Sequence, residues 1–411
     1  MARPNPRAAC VEALTRWEQG HEFADDVLHT TLAAARFTTL DRALLMETFY
    51  GVIRHKRMLD FLISQLRDGE IDLQTRQILR LGLYQIFRMR IPRHASVNET
   101  VGLSRRARPL VNAILRRSIR EEEELKRKVD ESPLDVRFSH PEVLIDRWRQ
   151  NFNEENTHKL CEWNNEPAEI FVRPNGLKVT IGELLRTSDA ETVDSHPLML
   201  RVKQVPIMWI VHGLCYVQDP STLVACELLD PQPGDRVLDA CAAPGGKTSY
   251  MAQLMHNEGE IYACDASARR LARLKQNLAR LAVHIATTHQ MDWLHDKPMN
   301  GGMQFDRILI DAPCSNTGVI RRRVDVRWRL NGDEFPRMQQ TQLALVHTIA
   351  PLLKPGGTLV YSTCSIEPEE NHEVVKRITG ENPGLQFVES REVLPFRDRI
   401  DGAFAAKFQR V

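Results

Sequence analysis

Beyond residue 231 the sequence alternates short apolar runs with longer amphipathic stretches. RVLDAC, a helix from Lys247, IYACDA, ARRLARLKQNLARL, IATTHQ, RILIDAP, a long helix near 336–353 and TLVYSTC follow one another in that order. Strands separated by helices of roughly 10–15 residues must pair in parallel, because each helical crossover carries the chain back to the same edge of the sheet. The pattern therefore predicts a mostly parallel, doubly wound α/β sheet of Rossmann-like type. Two final strand-like segments, LQFVES (385–390) and GAFAAKFQRV (402–411), have only a short irregular stretch between them, which predicts an antiparallel closing pair.

The rest of the chain reads differently, so the protein is multidomain. In ALLMETFYGVIRHKRMLDFLISQL (43–66) and TRQILRLGLYQIFRM (75–89) apolar residues recur every three or four positions. HASVNETVGLSRRARPLVNAILRRSIR (94–120) extends this pattern, with Ser96 and Glu99 spaced as a helix-capping pair. An all-α domain is expected over 1–130, with the stretch 121–141 as a helix running into a linker. A small α+β subdomain is expected over 140–230, with strands at EIFVRPN (169–175) and LMLRVKQ (198–204), and the α/β domain over 231–411.

Composition excludes several classes. With 42% hydrophobic and 27% charged residues, the chain is that of a soluble globular protein and not a disordered one. The first twenty residues hold no apolar stretch suited to a signal peptide, and no run approaches the roughly 18 residues of a membrane helix. The eight cysteines include no C-x-x-C pair, so no metal is expected and a reducing, cytoplasmic setting is. The net charge of +1 hides local excesses: residues 1–120 carry 20 Arg+Lys against 12 Asp+Glu, and RRRVDVRWR (321–329) holds five arginines. Nucleic acid remains an eligible partner.

VLDACAAPGGKT (237–248) is a strand, a glycine-bearing turn and a helix start, the place where parallel sheets bind ligands. It lacks the glycine five residues before Gly246 that a P-loop needs, and it lacks G-x-G-x-x-G. A cofactor with a ribose and an adenine but no pyrophosphate is left. Asp265, closing the next strand, is placed to hold ribose hydroxyls, and Asp292 to meet the adenine amino group.

Asp311 and Cys314 end the fourth strand of this domain, and Cys364 ends the fifth. Neighbouring strands would open both thiols onto one crevice. Cytosine carbon 5 accepts a methyl group only after a thiolate has added to carbon 6, and a carboxylate or carboxylic acid at ring nitrogen 3 and the exocyclic amine stabilises that adduct. A second thiol or a water then assists its release. On position alone, either thiol could be the nucleophile.

DAPCSNTGVIRR, CAAPGGKT and YSTCSIEPEEN resemble the motifs of the RNA cytosine-5 methyltransferases. LRLGLYQIFRM, IPRHASVNETV and LVNAILRR resemble the NusB-like domain of the bacterial RsmB (Fmu/Sun) branch. The resemblance spans nearly the whole chain. It implies S-adenosylmethionine as cofactor, 16S ribosomal RNA as partner (naked or in an early assembly particle), and 5-methylcytosine as product. It implies Cys364 as nucleophile, Cys314 in adduct release, and cofactor contacts from Cys241, Ala242, Ala243, Pro244, Gly245, Gly246, Lys247, Asp265, Asp292 and Asp311. A monomer is expected. Arg321, Arg322 and Arg323 would line the pocket mouth for RNA, with Trp328 stacking on a base, although the family's usual RRHPD stands here as RRRVD (321–325). Arg116, Arg117 and Arg120 would offer a second basic surface. A non-catalytic RNA-binding protein and a Rossmann oxidoreductase are the rivals. The intact Asp311, Cys314 and Cys364 count against the first, the missing G-x-G-x-x-G against the second.

Overall fold

The computed structural model describes residues 4–296 and 302–411, so the first three residues of the expected helical domain lie outside it. The chain forms two compact units: Met1–Glu166 with Ile320–Arg329, and Pro167–Val319 with Leu330–Val411.

Among its described residues the first unit is all helix. At its centre the helix Leu73–Phe87 is buried on every side, with Ile78, Leu79, Leu81, Leu83 and Ile86 in the core. A helix apolar all round belongs inside a bundle. Its one buried charge, Arg80, is answered by Asp60, which accepts from Nε at 2.7 Å and Nη2 at 2.6 Å, and by Glu18. The stretch 43–66 is two helices, Thr39–Arg54 and Lys56–Leu66, broken at His55. The stretch 94–120 is also two, Arg93–Leu103 and Arg108–Arg120. Ser96 is no cap: the helix starts at Arg93, and the Ser96 N–H already donates to Pro92 O at 3.0 Å within its first turn. The helical segment Glu142–Asn165 is broken by a kink at Asn153 (φ +69°), and its first part, the helix expected with the α+β segment, belongs to this unit.

The segment Ile320–Arg329 corrects an expectation. Arg321 is buried, its guanidinium 3.7 Å from the centre of the Trp163 ring. Arg327 donates to Ser139 O at 3.1 Å, Asn164 O at 3.1 Å, Asn165 Oδ1 at 2.9 Å and Arg54 O at 3.4 Å. Trp328 donates its indole N–H to Ile53 O at 2.8 Å. The last turns of two helices thus supply the carbonyls of Ile53, Arg54 and Asn164, and such terminal carbonyls attract a cation, while Ser139 adds one from the turn before the second helix. Arg321 and Trp328 are therefore internal to the helical unit and do not present themselves at a pocket mouth. Arg322 is half-buried and Arg323 exposed.

Among its described residues the second unit holds two sheets. Strands β1 (Ile170–Pro174), β2 (Glu191–Thr192), β3 (Leu200–Val202) and β4 (Cys215–Val217) form an antiparallel sheet in the order β2-β3-β1-β4. The larger sheet contains β5 (Arg236–Asp239), β6 (Glu260–Asp265), β7 (Ala286–Gln290), β8 (Phe305–Asp311), β9 (Leu353–Thr363), β10 (Leu385–Val393) and β11 (Ala403–Arg410). Its order is β10-β11-β9-β8-β5-β6-β7. Neighbours from β7 to β9 pair in parallel, while β11 pairs antiparallel with both β9 and β10. Along β8, Leu309 faces one core while Ile308 and Ile310 face the other, as a sheet covered on both sides requires. The chain leaves β5 first toward β6 and later returns on its other side as β8, so the carboxyl end of β5 is the topological switch point.

Candidate active site

At that switch point β5 ends in Asp239, and the turn Ala240–Gly245 leads into the helix Gly246–Leu254. Gly245 has a φ of +104°, a conformation that glycine adopts at no steric cost. A Cβ on Gly246 would stand 2.9 Å from Tyr216, so the ring of β4 closes directly on the turn. A cavity of about 210 Å³ lies there, lined by Cys241, Ala242, Ala243, Pro244, Gly246, Lys247, Asp311, Asp239, Tyr216 and Gln218 among others. Gly245, Asp265 and Asp292 are not part of its lining.

Charges converge on this cavity. Lys247 Nζ donates to Asp311 Oδ2 at 2.7 Å, and Ser362 Oγ donates to Asp311 Oδ1 at 2.9 Å. Burial opposes a charge on Lys247, yet the Asp311 carboxylate outweighs it and holds the ammonium above its ordinary value. Asp239 is fully buried. Its Oδ2 accepts from Thr248 Oγ1 at 2.7 Å, and burial pushes its carboxyl up to about 7. Asp239 Oδ1 and Gln218 Oε1 have no hydrogen-bond partner among the described residues. Two unpaired buried acceptors in one cavity suit a ligand that brings N–H or O–H donors.

Asp265 is buried at the end of β6, its oxygens accepting from Ala243 N–H at 3.3 Å, Ser267 N–H at 2.9 Å and Arg270 at 2.9 Å. Asp292 follows β7, bonded to Leu294 N–H at 3.1 Å and His295 Nδ1 at 3.0 Å, and these bonds hold its carboxyl below the usual range.

Because β8 and β9 are neighbours with Asp311 opposite Ser362, the loops that follow them meet. Cys314 Sγ and Cys364 Sγ are 3.2 Å apart. The Cys364 thiol donates to Asn316 Oδ1 at 3.2 Å, and Asn316 Nδ2 donates to Cys314 O at 2.7 Å. Asn316 sits at φ +60°, which asparagine tolerates better than most residues. The adjacent Cys364 sulfur, and after it burial, hold the Cys314 thiol well above its ordinary range. The basic helix outside this unit divides: Arg116 is exposed and bonded to Asn112, while Arg117 is tied to Glu121 at 2.8 Å and to Leu66 O at 2.9 Å.

Sequence reasoning overlooked Gln218, Asn316, Ser362 and Glu370. A signal existed for part of this. Both cysteines are followed by serine, in APCSN and STCSI, and the matching polar neighbours hint at a shared anchor.

A switch-point glycine turn beside paired thiols places the second unit among α/β enzymes of the methyltransferase type, and comparison with known proteins agrees. Residues 226–409 match the family described as 16S rRNA methyltransferase RsmB/F, residues 4–120 the NusB family, and residues 140–204 a ferredoxin-like domain of RsmF/B-like methyltransferases. The ribosomal RNA small subunit methyltransferase B of Proteus mirabilis (strain HI4320) is 35% identical over 383 residues, covering 89% of this chain and 90% of that relative. A Bacillus subtilis (strain 168) protein named as a probable ribosomal RNA small subunit methyltransferase B is 32% identical over 405 residues, covering 94% and 90%. The crystal structure of PH0851 shares the fold, with TM-score 0.80 at 24% identity over all of both chains. A methyltransferase homolog from Pyrococcus horikoshii superposes with TM-score 0.59 at 30% identity, covering 68% of this chain and 98% of that one. The chain belongs to the 16S rRNA methyltransferase RsmB/F family.

Proposed function

We propose that this chain transfers a methyl group from S-adenosylmethionine to carbon 5 of a cytosine in 16S ribosomal RNA, through a covalent bond between a cysteine and carbon 6. The observation that carries the reading is the pair of thiols 3.2 Å apart, on loops that directly follow the strands carrying Asp311 and Ser362.

Bound S-adenosylmethionine supplies an electrophilic methyl group. Asp239 and Gln218 offer it unpaired acceptors, the turn Cys241–Lys247 brings backbone close, and Asp265 and Asp292 extend the site toward ribose and adenine. Cys364, oriented by Asn316, adds as thiolate to carbon 6, and the ring electrons gathered at carbon 5 take the methyl group. Asp311, fixed by Lys247 and Ser362, accepts from the exocyclic amine, and the Lys247 ammonium beside it answers the negative charge that the ring gains as the thiolate adds. Carbon 5 then carries a surplus proton. Cys314, whose sulfur lies 3.2 Å from that of Cys364, takes this proton as thiolate after passing its own to water. Removing the proton restores the double bond and expels Cys364 as thiolate. Arg116, Arg117, Arg322 and Arg323 contribute charge for RNA phosphates. The protein works as a monomer in the cytoplasm and takes up its RNA free or in an early assembly particle.

Cys314→Ala should attack but not release, and so accumulate a protein–RNA adduct that survives denaturing electrophoresis; Cys364→Ala should form none. The reverse pattern would exchange the two roles, and an adduct with neither would reduce both thiols to packing. Bisulfite mapping of ribosomal RNA from cells with and without the gene would identify the cytosine.

A further inference from the structure

Glu370 is fully buried, and no step above uses it. Its carboxylate takes two donors on each oxygen. Oε1 accepts from the hydroxyls of Ser315 and, at 2.7 Å, Ser365. Oε2 accepts from Ser315 N–H and from the Gln342 side-chain amide, both at 2.9 Å. These donors are all neutral, and a carboxylate held by them alone is costly beside an apolar side chain of similar size. What it gains is geometric. Ser315 follows Cys314 and Ser365 follows Cys364, so one side chain grips the residue next to each thiol, on loops fifty positions apart in sequence. Gln342 strengthens the grip by donating also to Pro313 O at 3.0 Å, on the other side of Cys314. Beyond the carboxylate, Ile366 N–H donates to Thr317 Oγ1 at 3.1 Å and Gly318 N–H donates to Cys364 O at 3.0 Å. A Cβ on Gly318 would stand 2.6 Å from Cys364 O, so the two loops are as close as their backbones allow.

We propose that Glu370 is a positioning residue: by bonding Ser315 and Ser365 together it sets the distance between the thiols of Cys314 and Cys364. This rests on the reading of those thiols as the reacting groups, but its test need not. Diamide takes two electrons and two protons from a pair of nearby thiols, leaving a disulfide, and the rate of that conversion reports how the pair is held.

The experiment uses the full-length protein. Glu370→Gln keeps the volume but replaces one oxygen by an NH2 group, toward which the Ser315 and Ser365 hydroxyls must turn as acceptors, so bonds to a carboxylate are exchanged for weaker neutral ones. Diamide should join Cys314 to Cys364, followed by peptide mapping, about tenfold more slowly than in the wild type, and kcat for methyl transfer should fall by about 100-fold, the scale of a small misplacement of reacting groups. S-adenosylmethionine affinity and the KM for RNA should stay within about twofold, since neither is bound by this network. Combining Glu370→Gln with Ser315→Ala and Ser365→Ala should add little, because all three interrupt one network. A wild-type disulfide rate in Glu370→Gln overturns the proposal. So does a parallel loss of cofactor affinity, which would make Glu370 general support for the fold. If the wild type forms no RNA adduct while Glu370→Gln still slows the disulfide, the covalent mechanism fails and the positioning role stands.

Discussion

Replacing Asp239 by asparagine should make the stability of the methyltransferase unit less sensitive to pH. The Asp239 carboxyl is pushed up to about 7, chiefly by burial, with the Thr248 hydrogen bond and Lys247 pulling it down and Asp311 and Asp265 adding to the rise. In the unfolded chain the same group ionises near 3.8. Between those values the native state holds a proton that the unfolded state has lost, so stability falls as pH rises and levels off above 7. With a native value of about 7, the contribution RT ln(1 + 10^(7 − pH)) drops by about 1.4 kcal/mol between pH 6 and pH 8. Histidines titrate in the same window, so the quantity to follow is the difference between wild type and Asp239→Asn, which keeps the bond to Thr248 and cannot ionise. Hydrogen exchange in peptides covering β5 and β8 measures it locally. The advantage of the variant over the wild type should grow by about tenfold in protection from pH 6 to pH 8. A difference that stays flat over this range would show that Asp239 ionises as an ordinary carboxylate and that its burial does not govern it.

Two further outcomes are expected. Asp265→Ala should weaken S-adenosylmethionine binding by about 1–3 kcal/mol, the loss of a hydrogen bond to a charged acceptor, while calorimetry showing unchanged affinity would remove Asp265 from the site. Arg327→Met keeps the stem but strands the carbonyls of Ser139 and Asn164, and should destabilise the helical unit by about 3 kcal/mol, read as faster hydrogen exchange across Glu142–Asn165; unchanged protection there would mean that water replaces the guanidinium without loss.

The sheet was legible because its information is local. β5, β6, β8 and the second half of β9 are short apolar runs, the polar β7 follows from its place in the alternation, and the brief connection from β10 to β11 dictates an antiparallel pair. Adjacency of β8 and β9 then brings Cys314 and Cys364 together, as their places after two such runs imply. What stayed hidden depends on residues distant in sequence. Five arginines in nine residues read as an RNA-facing pocket mouth, whereas Arg327 is buried by carbonyls from residues 54, 139 and 164, which no local pattern announces. The Ser96–Glu99 spacing fits a capping pair, but the helix has already begun at Arg93. In EPEEN, only the fold distinguishes the buried Glu370 from the partly exposed Glu369 beside it. The pairing of Lys247 with Asp311 likewise needed β5 and β8 to be neighbours.

The helical unit is built from two separate lengths of chain, and this governs the order in which a ribosome can complete it. Residues up to Glu166 are made first, but Val324 of its core and the guanidinium that closes two of its helix ends are encoded some 160 residues later. At roughly 5–20 residues per second the nascent unit waits about 8–30 s, with the face of Trp163 and the carbonyls of Ile53 and Asn164 lacking their final partners. When Arg329 emerges, β9, β10 and β11 do not yet exist. The N-terminal unit therefore finishes in the middle of translation, after the first strands of the catalytic sheet and before the last. A truncation placed anywhere between residues 166 and 320 removes part of both units.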